Sequence, residues 1–415
     1  MGKIAENVKV KKIKTDNILL RIHEKDNKTI EYKSKLFGIK KSKLLREGAF
    51  KYWPTDIEDI TVFKQFLKEY TEGDDETKNN IVEILFEYYR RIGFPYKKIS
   101  NKKKINTLES LIKTEQKIDE SKGLGANHTG VDLANYFHRH MITVPYGNSK
   151  SKTPIETYED DSSLKDCIKR WLDLGKIPNH AGIRNILKSR NGTRSVVNFR
   201  PSIAKYLYQR YVPDNGNILD PCSGFSGRLL GCISSGKNLN YTGIDPDSRT
   251  ALGNMKCAGF FAKQFENNER KYKFGFNFHL GCAEDVMKTL EDKKYDFIFT
   301  SPPYFSVEKY SDLPDQSCNK FSNYDVWFRD FLCVIASESF RVLKDDGRFS
   351  INIKNYEKHT IADDLIKYCE SIGFTLEETL NIKMINLEYF RKKEVVEKKG
   401  AYHNEPIMIF KKKIT

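Results

Sequence analysis

Apolar positions follow two different rhythms along this chain. Up to about residue 190 they mostly recur three and four apart, the spacing of one helix face; beyond about 195, short apolar runs alternate with helical segments. Residues 56–92 read as helical: TVFKQFLKEYTEG and NNIVEILFEYYRRIG carry the helical spacing and each ends at glycine, a common helix stop. FPYKKISNKKKINTLESLIKTEQK predicts a basic linker entering another helix, and GLGANHTG at 123–130 a glycine-rich break. DLANYFHRHM, SSLKDCIKRWLDLG and NHAGIRNILKSR again read as helices, with YGNSKSKTPIETYEDD between them as a loop. Near the start, NILLRIHEKDNKTIEYKSKLFG reads as a hairpin turning at Asp26-Asn27-Lys28.

From 195 onward the strands NILD, NYTGID, FNFHLGCAED, YDFIFTSPP, GRFSINIKN, ETLNIKMIN and PIMIFKKK mostly alternate with helical segments. Strands alternating with helices predict a mostly parallel seven-stranded sheet with helices on both faces. Ligands in such sheets bind beyond the carboxyl ends of the strands. Before it lies a mainly helical α+β region. The organisation expected is 1–125 as a basic N-terminal region, 126–194 as a helical connector and 195–415 as the α/β domain.

Charge adds a candidate partner. The 415 residues carry a formal net charge of +15, which favours a polyanion through counterion release; a lysine-rich solvated surface gives the same number. The eight cysteines form no CxxC pair and no zinc spacing, which points to reduced thiols and no metal site. His138, His140 and His180 are a weak metal set, more simply read as core or surface histidines. MGKIAENVKVKKIK has no apolar stretch of the kind that opens a secretory signal, and no run approaches a membrane span, so a cytoplasmic location is expected.

Four strand ends carry candidate chemistry. Asp220-Pro221-Cys222-Ser223-Gly224-Phe225-Ser226-Gly227-Arg228 joins a strand to a helix, with glycines that let the backbone approach a ligand. It lacks the dinucleotide glycine spacing and the phosphate-loop lysine. Asp245, ending YTGID, is placed to accept from two ribose hydroxyls, or to cap the next helix. The acid run in Gly281-Cys282-Ala283-Glu284-Asp285 can accept from an adenine amino group. Thr300-Ser301-Pro302-Pro303-Tyr304-Phe305 follows the apolar strand YDFIF. Its prolines remove two backbone donors, leaving Ser301 and local carbonyls as acceptors beside the Tyr304 ring. An exocyclic NH2 needs two acceptors and a stacking surface.

Taken in order, these motifs resemble the S-adenosylmethionine-dependent amino-methyltransferases that act on DNA at cytosine N4 or adenine N6, over roughly 195–415. The resemblance implies a Rossmann-like class I methyltransferase domain. VVNFRPSIA is similar to the segment before the cofactor turn, so Phe199, Arg200, Pro201 and Ser202 are expected at the methionine end of the cofactor. DPCSGFSGR resembles the cofactor turn, assigning Asp220, Cys222, Ser223, Gly224 and Gly227 to it, with Asp245 on the ribose and Asp285 on the adenine. TSPPYF resembles the catalytic loop, assigning Ser301, Pro302, Pro303 and Tyr304; its serine lead is commoner among cytosine-N4 enzymes. TSPPYFSVEKYS also looks like methyltransferases of phages and mobile elements, which brings a restriction endonuclease into view as a partner.

What the resemblance implies is methyl transfer to the amino nitrogen of a flipped-out base, with Ser301 and the Pro302 carbonyl accepting its hydrogens. No sizeable recognition insertion follows the catalytic loop, so target recognition in DNA falls to the N-terminal region, with NKKKIN and the lysines of 33–45 as phosphate contacts. An RNA base is the alternative substrate, and a non-catalytic nucleic-acid-binding protein on this fold the alternative class. Glutamine methylation is disfavoured by Ser301, and cytosine-C5 chemistry by the lack of a cysteine beside it; Cys222 is read as packing in the turn.

Overall fold

The computed structural model describes residues 10–15, 18–23, 60–119, 123–125, 127–146, 151–267, 272–305, 310, 313–356, 359–385 and 402–413. They divide into two compact units. The first draws on Met1–Lys97 and Pro154–Thr193, the second on Lys98–Thr153 and Arg194–Thr415.

In the first unit, β1 (Val10–Thr15) and β2 (Ile18–His23) pair antiparallel, with Thr15 opposite Ile18. The hairpin turn expected at Asp26–Lys28 lies outside the described residues. The helices are Ile60–Glu72, Asp75–Ile92, Pro154–Glu159, Asp161–Asp173 and His180–Ile186. Asp74, Asp160 and Asn179 cap three of them by accepting from Thr77, Ser163 and Gly182 backbone N–H groups. Phe63, Phe66, Tyr88, Leu164 and Ile168 are buried, and His180 stacks on Tyr88 while bonding its hydroxyl. The stretch expected as a loop before residue 161 contains the helix Pro154–Glu159: proline at its first position supplies a φ already suited to a helix.

The second unit is built on an eight-stranded sheet. Its strands are β3 (Gly123–Leu124), β4 (Gly216–Asp220), β5 (Leu239–Asp245), β6 (Phe274–Leu280), β7 (Tyr295–Thr300), β8 (Leu343–Asn352), β9 (Phe374–Ile385) and β10 (Tyr402–Lys412). The order is β3-β9-β10-β8-β7-β4-β5-β6, and β10 runs antiparallel to both neighbours while the other pairings are parallel. This is a Rossmann-like, mostly parallel sheet whose order reverses at β4. It has one strand more than expected, because Gly123–Leu124 of the glycine-rich break adds to the edge at β9.

Both sheet faces are apolar, which is why the strands read as continuous hydrophobic runs. Ile218, Tyr241, Phe297 and Phe299 pack under the helices Pro201–Tyr211, Gly227–Ile233 and Ser248–Asn267. Leu219, Ile244, Ile298 and Phe349 point the other way, toward Trp327, Ile335 and Leu365.

The unit boundaries differ from those the sequence suggests. Helix Asn101–Lys113 and the segment through Thr143 belong with the sheet, since Leu108, Leu111, Leu133 and Ala134 are buried in the same core as Ile203 and Phe261. Lys205 Nζ also donates to the carbonyls of Leu111 (3.0 Å) and Thr114 (2.8 Å), which end the first of these helices. The periodicity of these segments shows a buried face but not what covers it. Among the described residues, no helix is long and apolar enough to cross a membrane.

Candidate active site

A cavity of about 450 Å³ opens beyond the carboxyl ends of β4, β5, β6, β7 and β8. At its floor, the turn after β4 is held against the sheet from three sides. Ser223 N–H donates to the Ile244 carbonyl (2.8 Å), Cys222 N–H to Thr300 Oγ1 (3.1 Å), and Gly224 N–H to Asp245 Oδ2 (3.0 Å). Gly224 and Ser226 both lie in the left-handed region, at φ 55° and 62°. At Gly227 a Cβ would collide with the Phe199 carbonyl, so glycine alone allows the helix to begin this close to 198–199.

Phe199, Arg200, Cys222, Ser223, Gly224, Gly227 and Asp245 line the cavity. Pro201 and Ser202 do not: Pro201 begins the next helix, and Ser202 is buried with its hydroxyl on the Asn127 carbonyl. Asp220 is likewise beneath the site, fully buried, accepting from Arg228 Nε (2.6 Å) and the Tyr241 hydroxyl (2.6 Å). Its carboxylate anchors Arg228, which donates in turn to the Cys222 carbonyl and itself lines the cavity. Removing either partner would leave a buried charge unpaired.

Each Asp245 oxygen accepts one backbone N–H, Oδ1 from Asp247 (3.0 Å) and Oδ2 from Gly224, which leaves each with further acceptor capacity. Burial raises this carboxyl to about 7, against the lowering effect of the two N–H donors.

After β6 the placement differs from expectation. Asp285 is exposed and off the cavity, paired with Lys320 (2.6 Å). Glu284 is 3% exposed and lines it, with Oε1 on Lys320 Nζ (2.8 Å) and Oε2 without a partner among the described residues. Helical spacing explains the swap, since adjacent residues on the short helix Ala283–Val286 face different ways. Cys282, Glu284 and Asp285 lie close enough together to suggest a cation site, but the Lys320 ammonium already pairs with both carboxylates.

At the other end, Ser301, Pro303 and Tyr304 line the cavity, while Pro302 is buried behind the wall. Ser301 Oγ donates to Asn352 Oδ1 (3.3 Å), and Asn352 Nδ2 donates to the Pro406 carbonyl (2.9 Å). Lys354 and Glu405, an ion pair at 3.2 Å, complete this wall. Phe305 packs edge-on to Tyr324 and near Trp327, tying the loop into the core.

A buried support reaches the turn from 127–146. Ser226 Oγ gives its hydrogen to Asn254 Oδ1 (2.6 Å), so His138 Nε2, at 2.7 Å, is the donor to Ser226. Asn254 Nδ2 then donates to Ser223 Oγ (3.2 Å) and the Gly224 carbonyl (2.9 Å). Burial holds His138 neutral, at about 3, and His140, bonded to Thr250 Oγ1, at about 4. Both are thus engaged by hydroxyl groups, and His180 belongs to the first unit. Sequence reasoning missed Asn254, Glu284, Asn352 and the role of His138. Only the acidic pair at 284–285 gave a signal.

The C-terminal part of this site has a counterpart among known families. Residues 295–414 match the N6_N4_Mtase family model, described as DNA methylase. The match takes in β7, the Ser-Pro-Pro-Tyr loop, β8, β9 and β10, well under half of the chain. No curated protein matches. Among solved structures, TrmN from Thermus thermophilus is 16% identical over 51% of this chain and 48% of its own, with a TM-score of 0.31. The chain thus spans about half of TrmN. A SAM-dependent methyltransferase from Methanosarcina mazei is 17% identical over 50% of this chain and 98% of its own (TM-score 0.32). A methyltransferase from Pyrococcus furiosus is 13% identical over 56% and 94% (TM-score 0.30). The fold assignment rests on the strand order rather than on these likenesses.

Proposed function

We propose that the chain is an S-adenosylmethionine-dependent methyltransferase acting on the exocyclic amino group of a base in DNA, cytosine N4 before adenine N6. One observation carries this reading. A single cavity has a glycine turn with Asp245 at one end and the Ser301–Tyr304 loop at the other.

The residues present fit the cofactor. Asp245 keeps acceptor capacity for two ribose hydroxyls, the turn at Gly224 and Gly227 brings backbone close to the cavity, and the unpartnered Glu284 Oε2 is a buried acceptor for an adenine amino group. Phe199, Ser223 and Arg200 line the remainder. When bound, S-adenosylmethionine supplies an electrophilic methyl group on a sulfonium.

The chain's own task is position and electrostatics. Ser301 accepts a hydrogen of the target amino group, drawing the nitrogen away from conjugation with the ring and exposing its lone pair. Tyr304 offers the stacking face. The loop lies inside a cavity, so the base must leave its duplex to reach it. Ser301 is the acceptor this reading relies on, because Pro302 sits off the cavity. DNA is favoured over RNA by the family matched at 295–414. The net charge of +15 suits either nucleic acid. The test is methyl transfer from labelled S-adenosylmethionine, offered unmodified duplex DNA and RNA side by side. Label in DNA supports the reading; label in RNA or protein alone overturns it.

A further inference from the structure

A serine is an ambiguous leader for an amino-binding loop. Its hydroxyl both donates and accepts, and as a donor toward the target nitrogen it would engage the lone pair that the reaction needs. The Ser301 hydrogen must therefore be placed elsewhere. Sheet register decides where. β7 and β8 run parallel with Thr300 beside Ile351, so the next residues, Ser301 and Asn352, stand side by side at the strand ends. Asn352 in turn pairs with β10 opposite Ile407, which puts its amide against the Pro406 carbonyl.

A carbonyl accepts only, so the Asn352 NH2 faces Pro406 and its Oδ1 must face Ser301. Oδ1 takes the Ser301 hydrogen at 3.3 Å, and this is the one hydrogen bond the Ser301 hydroxyl makes to a side chain among the described residues. Asn352 is 4% exposed, so no solvent competes freely for that acceptor. Ser301 itself lines the cavity, and with its hydrogen on Asn352 its oxygen keeps acceptor capacity there. Bonds aligned in one direction also polarise one another.

We infer that Asn352 is a positioning residue that fixes Ser301 as a hydrogen-bond acceptor, so that the Pro406–Asn352–Ser301 relay selects an amino group as the group methylated. The inference rests on the functional reading above and names the device that lets a serine stand at the head of the loop. It also assigns β10 a part in the site, through a main-chain carbonyl.

The test uses the full chain and a mutant cycle. Single-turnover transfer of labelled methyl to unmodified duplex DNA is measured for wild type, Asn352→Leu, Ser301→Ala and the double variant, with S-adenosylmethionine dissociation constants and melting curves for each. Asn352→Leu keeps the bulk and removes the acceptor. It is expected to slow transfer roughly tenfold, with cofactor affinity within about twofold of wild type. In the Ser301→Ala background it is expected to cost nothing further, because the relay has no end to orient. Asn352→Asp restores an acceptor beside Ser301 and recovers part of the rate. Should Asn352→Leu fail to fold, Asn352→Ala, which adds no bulk, carries the same expectation.

Losses that multiply in the double variant, or an Asn352→Leu rate equal to wild type, overturn the inference and leave the functional reading standing. Wild-type chain that transfers no methyl to DNA overturns that reading, and the inference with it.

Discussion

The two ends of the cavity are built by opposite means. The turn after β4 is a main-chain device: three backbone N–H groups donate into the sheet, two residues hold left-handed conformations, and one glycine touches a backbone carbonyl. The loop after β7 is a side-chain device on a proline scaffold, where one hydroxyl is aimed by one amide from the neighbouring strand. Main-chain turns leave recognition to shape and so suit a ligand that is always the same. A side-chain relay can be retuned by one substitution, which is what the proposed function would need at the end that meets the target base.

The largest effect belongs to the loop. Ser301→Ala is expected to lower single-turnover transfer roughly 100-fold while leaving cofactor binding unchanged, since an interaction formed only with the reacting group is lost. Equal damage to both would make the loop part of cofactor binding and erase the distinction.

Next comes Asp245→Asn, expected to weaken cofactor affinity by roughly 10- to 100-fold, the scale of hydrogen bonds to a charged acceptor. Titration calorimetry reads this directly. The same carboxyl gives a pH signature. Hydroxyl donors favour its ionised form, so affinity should fall as the pH drops through about 7, by about tenfold per unit below it. Its effect on folding runs the other way: burial favours the neutral form, so its contribution to stability is present at acid pH and lost as the pH rises through about 7. A pH-independent dissociation constant between 6 and 8 would remove Asp245 from the ribose.

The smallest effect is on stability. His138→Ala removes a buried donor to Ser226 and is expected to cost about 1–3 kcal/mol in denaturant unfolding. Because burial holds His138 neutral, its contribution fades as the pH falls below the ordinary histidine value near 6.5 toward about 3, and the variant should lose that part of the acid sensitivity. Identical acid unfolding of variant and wild type would show that the turn does not lean on His138.

The difference between the two ends also explains what could be read in the sequence. Glycines and prolines announce main-chain geometry locally, so the turn at Gly224–Gly227, the loop at Pro302–Pro303 and the alternation of strands and helices were all legible. Asn352 carries no such mark. Its role depends on the register between β7 and β8, a long-range fact. His138 lies in a segment whose helical spacing shows a buried face but not that the turn after β4 lies beneath it. Asp220 misled for the same reason, since the end of a strand does not tell whether its carboxylate turns to the ligand or to Arg228. Glu284 and Asp285 are adjacent acids, and only the orientation of a four-residue helix separates them.

The most direct test of the central claim is nucleoside mass analysis of unmodified genomic DNA after incubation with the chain and methyl-labelled S-adenosylmethionine. The account predicts labelled N4-methylcytosine, lost with Ser301→Ala. Labelled N6-methyladenine would keep amino methylation and overturn the choice of base, and a digest without labelled nucleosides would contradict the account.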